Sequence, residues 1–348
     1  FISVHVVVPN EILTMKLRNL ITWMACGLVL TGCKTDDEFD GPSLNDLYGA
    51  FSVVTPLETS ADTVDFSAGE TVNFTAAFSK NVSWKLEIKG LQSGAVKEIS
   101  GFSNLLDANN ALWTGTTTKL PFFKVEDCAV QLTFEAESDT LSDTLFVSGT
   151  RTYPGLLLGD FEGTANPGWT SFVQSGADMS FGIQTNSAGA AQGNGYFDIG
   201  GAVDWDYLIA YLYMPATAYG APTFNLSSNP EEVYFNTLLF KPESLNNGIM
   251  LFQFPEDDNG DGVFTAANED MYAIEVQMNQ NNWSQLSVKY SELQSLVNGQ
   301  PAAPNGNGVR EPNKLTQVNI LFLANPATGY ANARLDYMIF TEGEALQP

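Results

Sequence analysis

Thr71-Val72-Asn73-Phe74-Thr75-Ala76, Val82-Ser83-Trp84-Lys85-Leu86-Glu87-Ile88, Val130-Gln131-Leu132-Thr133-Phe134-Glu135 and Asp143-Thr144-Leu145-Phe146-Val147 decide the fold class of this 348-residue chain. In each run every second side chain is apolar, the period of a strand with one face in a core, and no 3.6-residue period lies between them. Short strands at this spacing, separated by turn residues from Phe51 to Pro154, predict a sandwich of about one hundred residues. Beyond Thr152-Tyr153-Pro154-Gly155, read as a boundary, further strands are expected at 196–199, 207–214, 233–240, 249–254, 271–278, 318–324 and 333–341, with one short helix at 291–297. The expectation is an all-β protein of two sandwiches, 51–154 and 155–348, because one core rarely serves so long a chain.

Upstream, Met15 is followed by Lys16 and Arg18, an apolar run from Leu20 to Leu30, and Thr31-Gly32-Cys33. That order is a secretion signal, and an apolar run of about eleven residues is too short for a spanning helix of roughly twenty. Leu30-Thr31-Gly32-Cys33 resembles the bacterial lipobox. The resemblance implies removal of 15–32, a lipid on Cys33 and a lipidated linker over 33–50, with membrane contact through the acyl chains alone. Residues 1–14 lack an initiator Met and read as an upstream extension. Lys34 after the cysteine implies outer-membrane delivery. Lys34-Thr35-Asp36-Asp37-Glu38 is also similar to the tag that sends some lipoproteins to the outward cell face; a solvated charged linker reads equally well.

The chain has 15 basic and 40 acidic residues, a net charge of −25. Such a field repels phosphate backbones, which excludes nucleic acid as a natural partner. The only histidine, His5, precedes the expected start, which excludes His-dependent triads and His-ligated metals from the mature chain. Cys128, in strand-like alternation, reads as a buried structural thiol, and with Cys33 lipidated no internal disulfide is expected.

The first sandwich resembles immunoglobulin-like spacer modules of surface proteins. The second opens Leu158-Gly159-Asp160-Phe161-Glu162-Gly163, with Trp169 shortly after, and closes Ala333-Arg334-Leu335-Asp336-Tyr337-Met338-Ile339-Phe340. These ends resemble carbohydrate-binding modules with the galactose-binding-like jelly roll. The resemblance implies a structural Ca2+ between first and last strands, at Asp160, Glu162 and Asp336, unless these are solvated strand-end carboxylates.

From the residues themselves, Asp257-Asp258-Asn259-Gly260-Asp261-Gly262 fits the opening of a calcium loop, with Asp257, Asn259, Asp261 and the Val263 carbonyl as ligands. Position twelve is Asn268, with Glu269 and Asp270 just beyond. Strand-like flanks make it a hairpin loop, and an acidic turn that binds nothing is the alternative. In Trp205-Asp206-Tyr207-Leu208-Ile209-Ala210-Tyr211-Leu212-Tyr213, period two puts Trp205, Tyr207, Ile209, Tyr211 and Tyr213 on one face and Leu208, Ala210 and Leu212 on the other. If the aliphatic face is core, the aromatic face can carry a sugar ring; if the aromatic face is core, nothing functional follows. Gln253, Glu275, Gln277, Gln317 and Asn319 alternate with core residues on neighbouring strands and can bind vicinal hydroxyls or simply face water.

Anchor, spacer and terminal module make a non-catalytic surface lipoprotein that captures a neutral poly- or oligosaccharide the leading expectation, similar to the accessory binding proteins of outer-membrane uptake complexes. A structural or adhesion lipoprotein with a protein partner is the second reading. A carboxylate-based glycoside hydrolase is the third.

Overall fold

A computed structural model describes residues 49–203, 207–240, 248–279, 282–324 and 329–348. The expected leader, Cys33 and most of the linker lie outside the described residues, as does Trp205. Phe51–Pro348 forms one compact unit. It is all-β: among the described residues the only helical segments are short 3-10 turns.

The first half contributes β1 (Val53–Thr59), β2 (Thr63–Asp65), β3 (Val72–Gly90), β4 (Val96–Leu106), β5 (Leu112–Trp113), β6 (Glu126–Phe134) and β7 (Thr140–Gly149). The order is β1-β3-β6-β7-β2, with β4 and β5 also on β3. The runs at 71–76 and 82–88 are one strand, not two, because the even positions from Val72 to Ile88 keep a single inward face. Its first half pairs with β1 and its second half with β4 and β6, and a register shift between Ala77 and Val82 bends it between these tasks. Trp113, packed edge-on against Phe66 and Phe123 at 4.7 Å each, lies in this core. Cys128 is buried here, and burial first, then the charges of Glu126 and Asp127, push its thiol up to about 12.

The second half contributes β8 (Leu156–Gly159), β9 (Thr170–Val173), β10 (Gly176–Thr185), β11 (Gly195–Val203), β12 (Leu208–Pro215), β13 (Val233–Phe240), β14 (Ile249–Pro255), β15 (Met271–Gln277), β16 (Ser284–Lys289), β17 (Leu296–Val297), β18 (Gln300–Pro301), β19 (Gln317–Leu323) and β20 (Tyr330–Glu342). One sheet runs β10-β11-β20-β13-β16 with β8 on β20, and the other β15-β14-β19-β12-β9. Their inner faces share one core, in which Phe235 of the first sheet meets Phe252 and Phe254 of the second at 5.2 and 5.1 Å. The helix expected at 291–297 is absent. A 3-10 turn covers Tyr290–Glu292, after which Gln294 and Ala273 exchange backbone hydrogen bonds and Leu296–Val297 pairs as β17. The competing sheet edge of β15 captured the segment.

The two halves meet on the outer face of the six-stranded sheet. A register shift in β20 and a positive φ of 42° at Tyr337 turn that ring out between Phe122 (5.6 Å) and Tyr153 (5.7 Å), in a cluster that includes Leu238, Ile339 and Leu346. Phe122 N–H donates to the Ala191 carbonyl at 2.7 Å, and Lys124 Nζ donates to the Ser187 carbonyl. One outer face of the sandwich is thereby partly covered. The outer face of the five-stranded sheet is the other.

Candidate functional site

That second outer face is set by the alternation of β12, interrupted once. Ile209 and Ala210 are both fully buried, with a register shift between Leu208 and Ala210 against β19. The uninterrupted period expected from 205 to 213 is therefore wrong at Ile209: a bulge turns it into the core, leaving Leu208, Tyr211 and Tyr213 outward. Ala210, Leu212 and Met214 fill the core. The aliphatic side is the inside.

Tyr211 and Tyr213 lie 4.2 Å apart with rings inclined by 13°, and Phe172, opposite Tyr211 on β9, lies 5.5 Å from it at 28°. All three are half-buried. Partial burial raises the pKa of the Tyr213 hydroxyl, with the neighbouring Tyr211 acting in the same direction. Beside Tyr213, Asn319, Gln253 and Ala273 follow in register on β19, β14 and β15, and beside Tyr211 come Leu321, Leu251 and Glu275. Gln317 Nε2 donates to Asn319 Oδ1 at 2.5 Å, and Asn319 Nδ2 donates to Gln253 Oε1 at 3.5 Å, an amide chain across two strands. Asn319 is 6% exposed beneath these neighbours. Gln277 ends β15, exposed.

Of the expected ligand residues, Gln253, Glu275, Gln277 and Asn319 thus share one face with Tyr211, Tyr213 and Phe172. Tyr207 is half-exposed at the mouth of β12, its carbonyl accepting from Ala324 N–H. Phe172 was not foreseen, because Thr170–Val173 is too short and too polar to show a period. Trp169 serves the fold: its Nε1 donates to Tyr219 Oη, which donates in turn to the Leu158 carbonyl.

The acidic loop joins β14 to β15 as a hairpin. Asp257, 4% exposed, accepts Gly260 and Asp261 N–H on Oδ1 and Gly262 N–H on Oδ2. Gly260 and Gly262 sit at φ of +78° and +84°, the left-handed region that favours glycine. Oxygens of Asp257, Asp261 and the buried Glu269 lie within 4.8 Å of one another, a donor set that fits a hard cation. Glu269, one place past position twelve, is the acid that reaches this group, and its two oxygens accept the N–H groups of Asn259 and Thr265. Asn259 Oδ1 accepts Asp261 N–H, and Asp261 Oδ1 accepts the N–H of Val263.

Asp160, Glu162 and Asp336 are not among the carboxylate groups whose oxygens come within 4.8 Å of one another in the described residues; like Asp257, they accept backbone amides. Asp160 accepts Glu162 N–H, Glu162 accepts Asn194 and Gly195 N–H, and Asp336 accepts Ala191, Gln192 and Tyr337 N–H. Burial outweighs these donors at Asp336 and raises its pKa well above the carboxylate range.

No protein-family model matches the chain and no curated protein matches it. Among solved structures, the family 11 carbohydrate-binding module from Clostridium thermocellum, in complex with a β-1,3-1,4-mixed-linked tetrasaccharide, is similar over 55% of this chain and 98% of its own, at 13% identity and a TM-score of 0.37. The CBM22-1 xylan-binding domain of Paenibacillus barcinonensis Xyn10C is similar over 56% and 99%, at 15% identity and a TM-score of 0.32. SGBP-B from a xyloglucan utilization locus of Bacteroides uniformis is similar over 84% of this chain and 73% of its own, at 12% identity and a TM-score of 0.30. At these scores and identities no residue role passes from them to this chain.

The two sides of β12 make opposite predictions. Leu212→Ala empties a core position and is expected to cost about 2–5 kcal/mol. Tyr213→Ala forfeits mainly a ring stack of about 0.5–1.5 kcal/mol. Urea unfolding of both variants checks the difference; equal losses would place the tyrosines in the core.

Proposed function

We propose that this chain is a non-catalytic surface lipoprotein that holds a neutral poly- or oligosaccharide across the outer face of its five-stranded sheet. The observation that carries the reading is the chemistry of that face. In a chain of net charge −25, the strands present three aromatic rings, a linked row of amides and aliphatic side chains there, with Glu275 the sole acid among the described residues of these strands. Ring surfaces suit the C–H face of a sugar, amides exchange hydrogen bonds with hydroxyls, and a near-neutral patch selects against ionic ligands. Glycoside hydrolysis needs two carboxylates around one bond, and the described residues of this face offer one.

Tyr213→Ala and Asn319→Ala are each expected to weaken retention by a neutral polysaccharide in affinity electrophoresis. A lost stack of about 0.5–1.5 kcal/mol corresponds to a loss of up to roughly tenfold. Added salt should change little, since no charge pair drives the contact. Failure of every neutral glycan to bind, with capture of a specific surface protein instead, would favour the adhesion reading.

The anchor belongs to the same proposal: a lipid on Cys33 tethers the module to the outer membrane, facing outward, within a polysaccharide-uptake assembly. Cys33→Ala is expected to move the protein from the detergent to the aqueous phase on partitioning. Unchanged partitioning would remove the anchor.

A structural Ca2+ in the Asp257 loop completes the reading, supported by the convergence of Asp257, Asp261 and Glu269. Because an ion bound only to the folded state stabilises it by mass action, Tm should rise with calcium concentration and fall on chelation. Asp261→Ala should diminish that dependence. A melting curve indifferent to calcium would refute the site.

A further inference from the structure

On the strand-end segment that carries Asp257, the flanking residues Glu256 and Asp258 point away from the Asp257 loop, as alternation requires. The segment is held by a bridge between Glu256 and Leu315, with Asp257 N–H donating to the Lys314 carbonyl at 3.0 Å. Oxygens of Glu256, Asp258 and Glu311 come within 4.8 Å of one another. Glu256 and Glu311 carry no expectation from the sequence, and Asp258 enters there only as a non-ligand position of the loop.

Their hydrogen bonds leave a specific deficit. Glu256 is fully buried. Its Oε1 accepts Tyr290 Oη–H at 2.7 Å and Glu311 N–H at 2.9 Å, while Oε2 is buried with no partner. Asp258 Oδ2 accepts Asp270 N–H at 3.0 Å and Asn307 N–H at 3.2 Å, while its buried Oδ1 has no partner either. Lys314 Nζ reaches Glu311 Oε2 at 2.8 Å and the Asp258 carbonyl at 3.3 Å, and contacts neither of the unpartnered oxygens. One ammonium thus stands beside three carboxyl groups, and two of their buried oxygens have no partner. Buried acceptors of this kind are costly unless something supplies positive charge or protons to them.

We propose that Glu256, Asp258 and Glu311 form a cation site that takes a divalent ion with a preference for oxygen ligands, of the Ca2+ class. It lies across the backbone from the Asp257 loop and is distinct from it in every ligand. An all-oxygen donor set with no nitrogen or sulfur selects hard ions over transition metals. Partly exposed Asp258 and Glu311 give the ion access from solvent, and buried Glu256 closes the inner side.

The test is the stoichiometry of Ca2+ bound to the full chain after chelator treatment and dialysis, measured by titration calorimetry. The wild type is expected to take up two ions, Asp261→Asn and Glu311→Gln one each, and the double variant none. Asp258→Asn should repeat the effect of Glu311→Gln, and circular dichroism should show both folded. Uptake unchanged by Glu311→Gln and by Asp258→Asn would overturn the proposal. If the wild type takes up one ion, the variant that abolishes it decides: loss in Asp261→Asn alone overturns this site and keeps the loop, whereas loss in Glu311→Gln alone keeps this site and overturns the loop.

Discussion

The candidate ligand face depends on a single constraint: one side of β12 has to be core. Leu212 and Met214 cannot stay in water at acceptable cost, and Ala210 between the sheets leaves room for the phenylalanines opposite. With the aliphatic side inward, Tyr211 and Tyr213 can only point out. There they stack on one another and beside Phe172. The bulge at Ile209 is part of the same solution, since it buries an aliphatic residue that strict alternation would have left among the tyrosines.

Docking of the two halves partly covers one outer face of the sandwich. The segment around Phe122 and the C-terminal Leu346 pack on the six-stranded sheet through Tyr337, whose positive φ is sustained by this cluster and by the Asp336 carboxylate beneath it. Its buried contacts make the first half a rigid support for that sheet, leaving the five-stranded sheet to present its rings and amides.

Several acidic residues of this chain accept backbone N–H groups. Glu126 accepts N–H groups of Gln92, Ser93 and Lys124; Glu162, Asp336 and Asp257 gather consecutive amides in the same manner. Charge-assisted hydrogen bonds of this kind order loops that lack secondary structure of their own. The same device is found at Asp257 and at Asp160, Glu162 and Asp336, the carboxylates for which the family resemblance implies a metal. It also isolates Glu256, where burial raises the pKa to about 8 against the hydrogen bonds from Tyr290 and Glu311 N–H that lower it.

By itself the sequence determined the all-β class, half of the strand positions, and the opposite lateral roles of Gln253, Asn319 and Glu275 relative to the core residues between them, because period two is a local property of an extended chain. It determined too that Asp257, Asn259 and Asp261 would crowd one turn, since loop spacing is local as well. Tertiary structure alone decided which face of β12 is inside, that Ile209 breaks the period, and that β9 brings Phe172 to Tyr211. Strand pairing across long separations chooses neighbours, and no local period encodes it. The same holds for Glu269, which joins Asp257 only because a hairpin closes, and for Glu311, which meets Glu256 and Asp258 across more than fifty residues of chain. Convergence of charges from distant segments is paid for by the packing of two sheets, a cooperative property of the folded molecule.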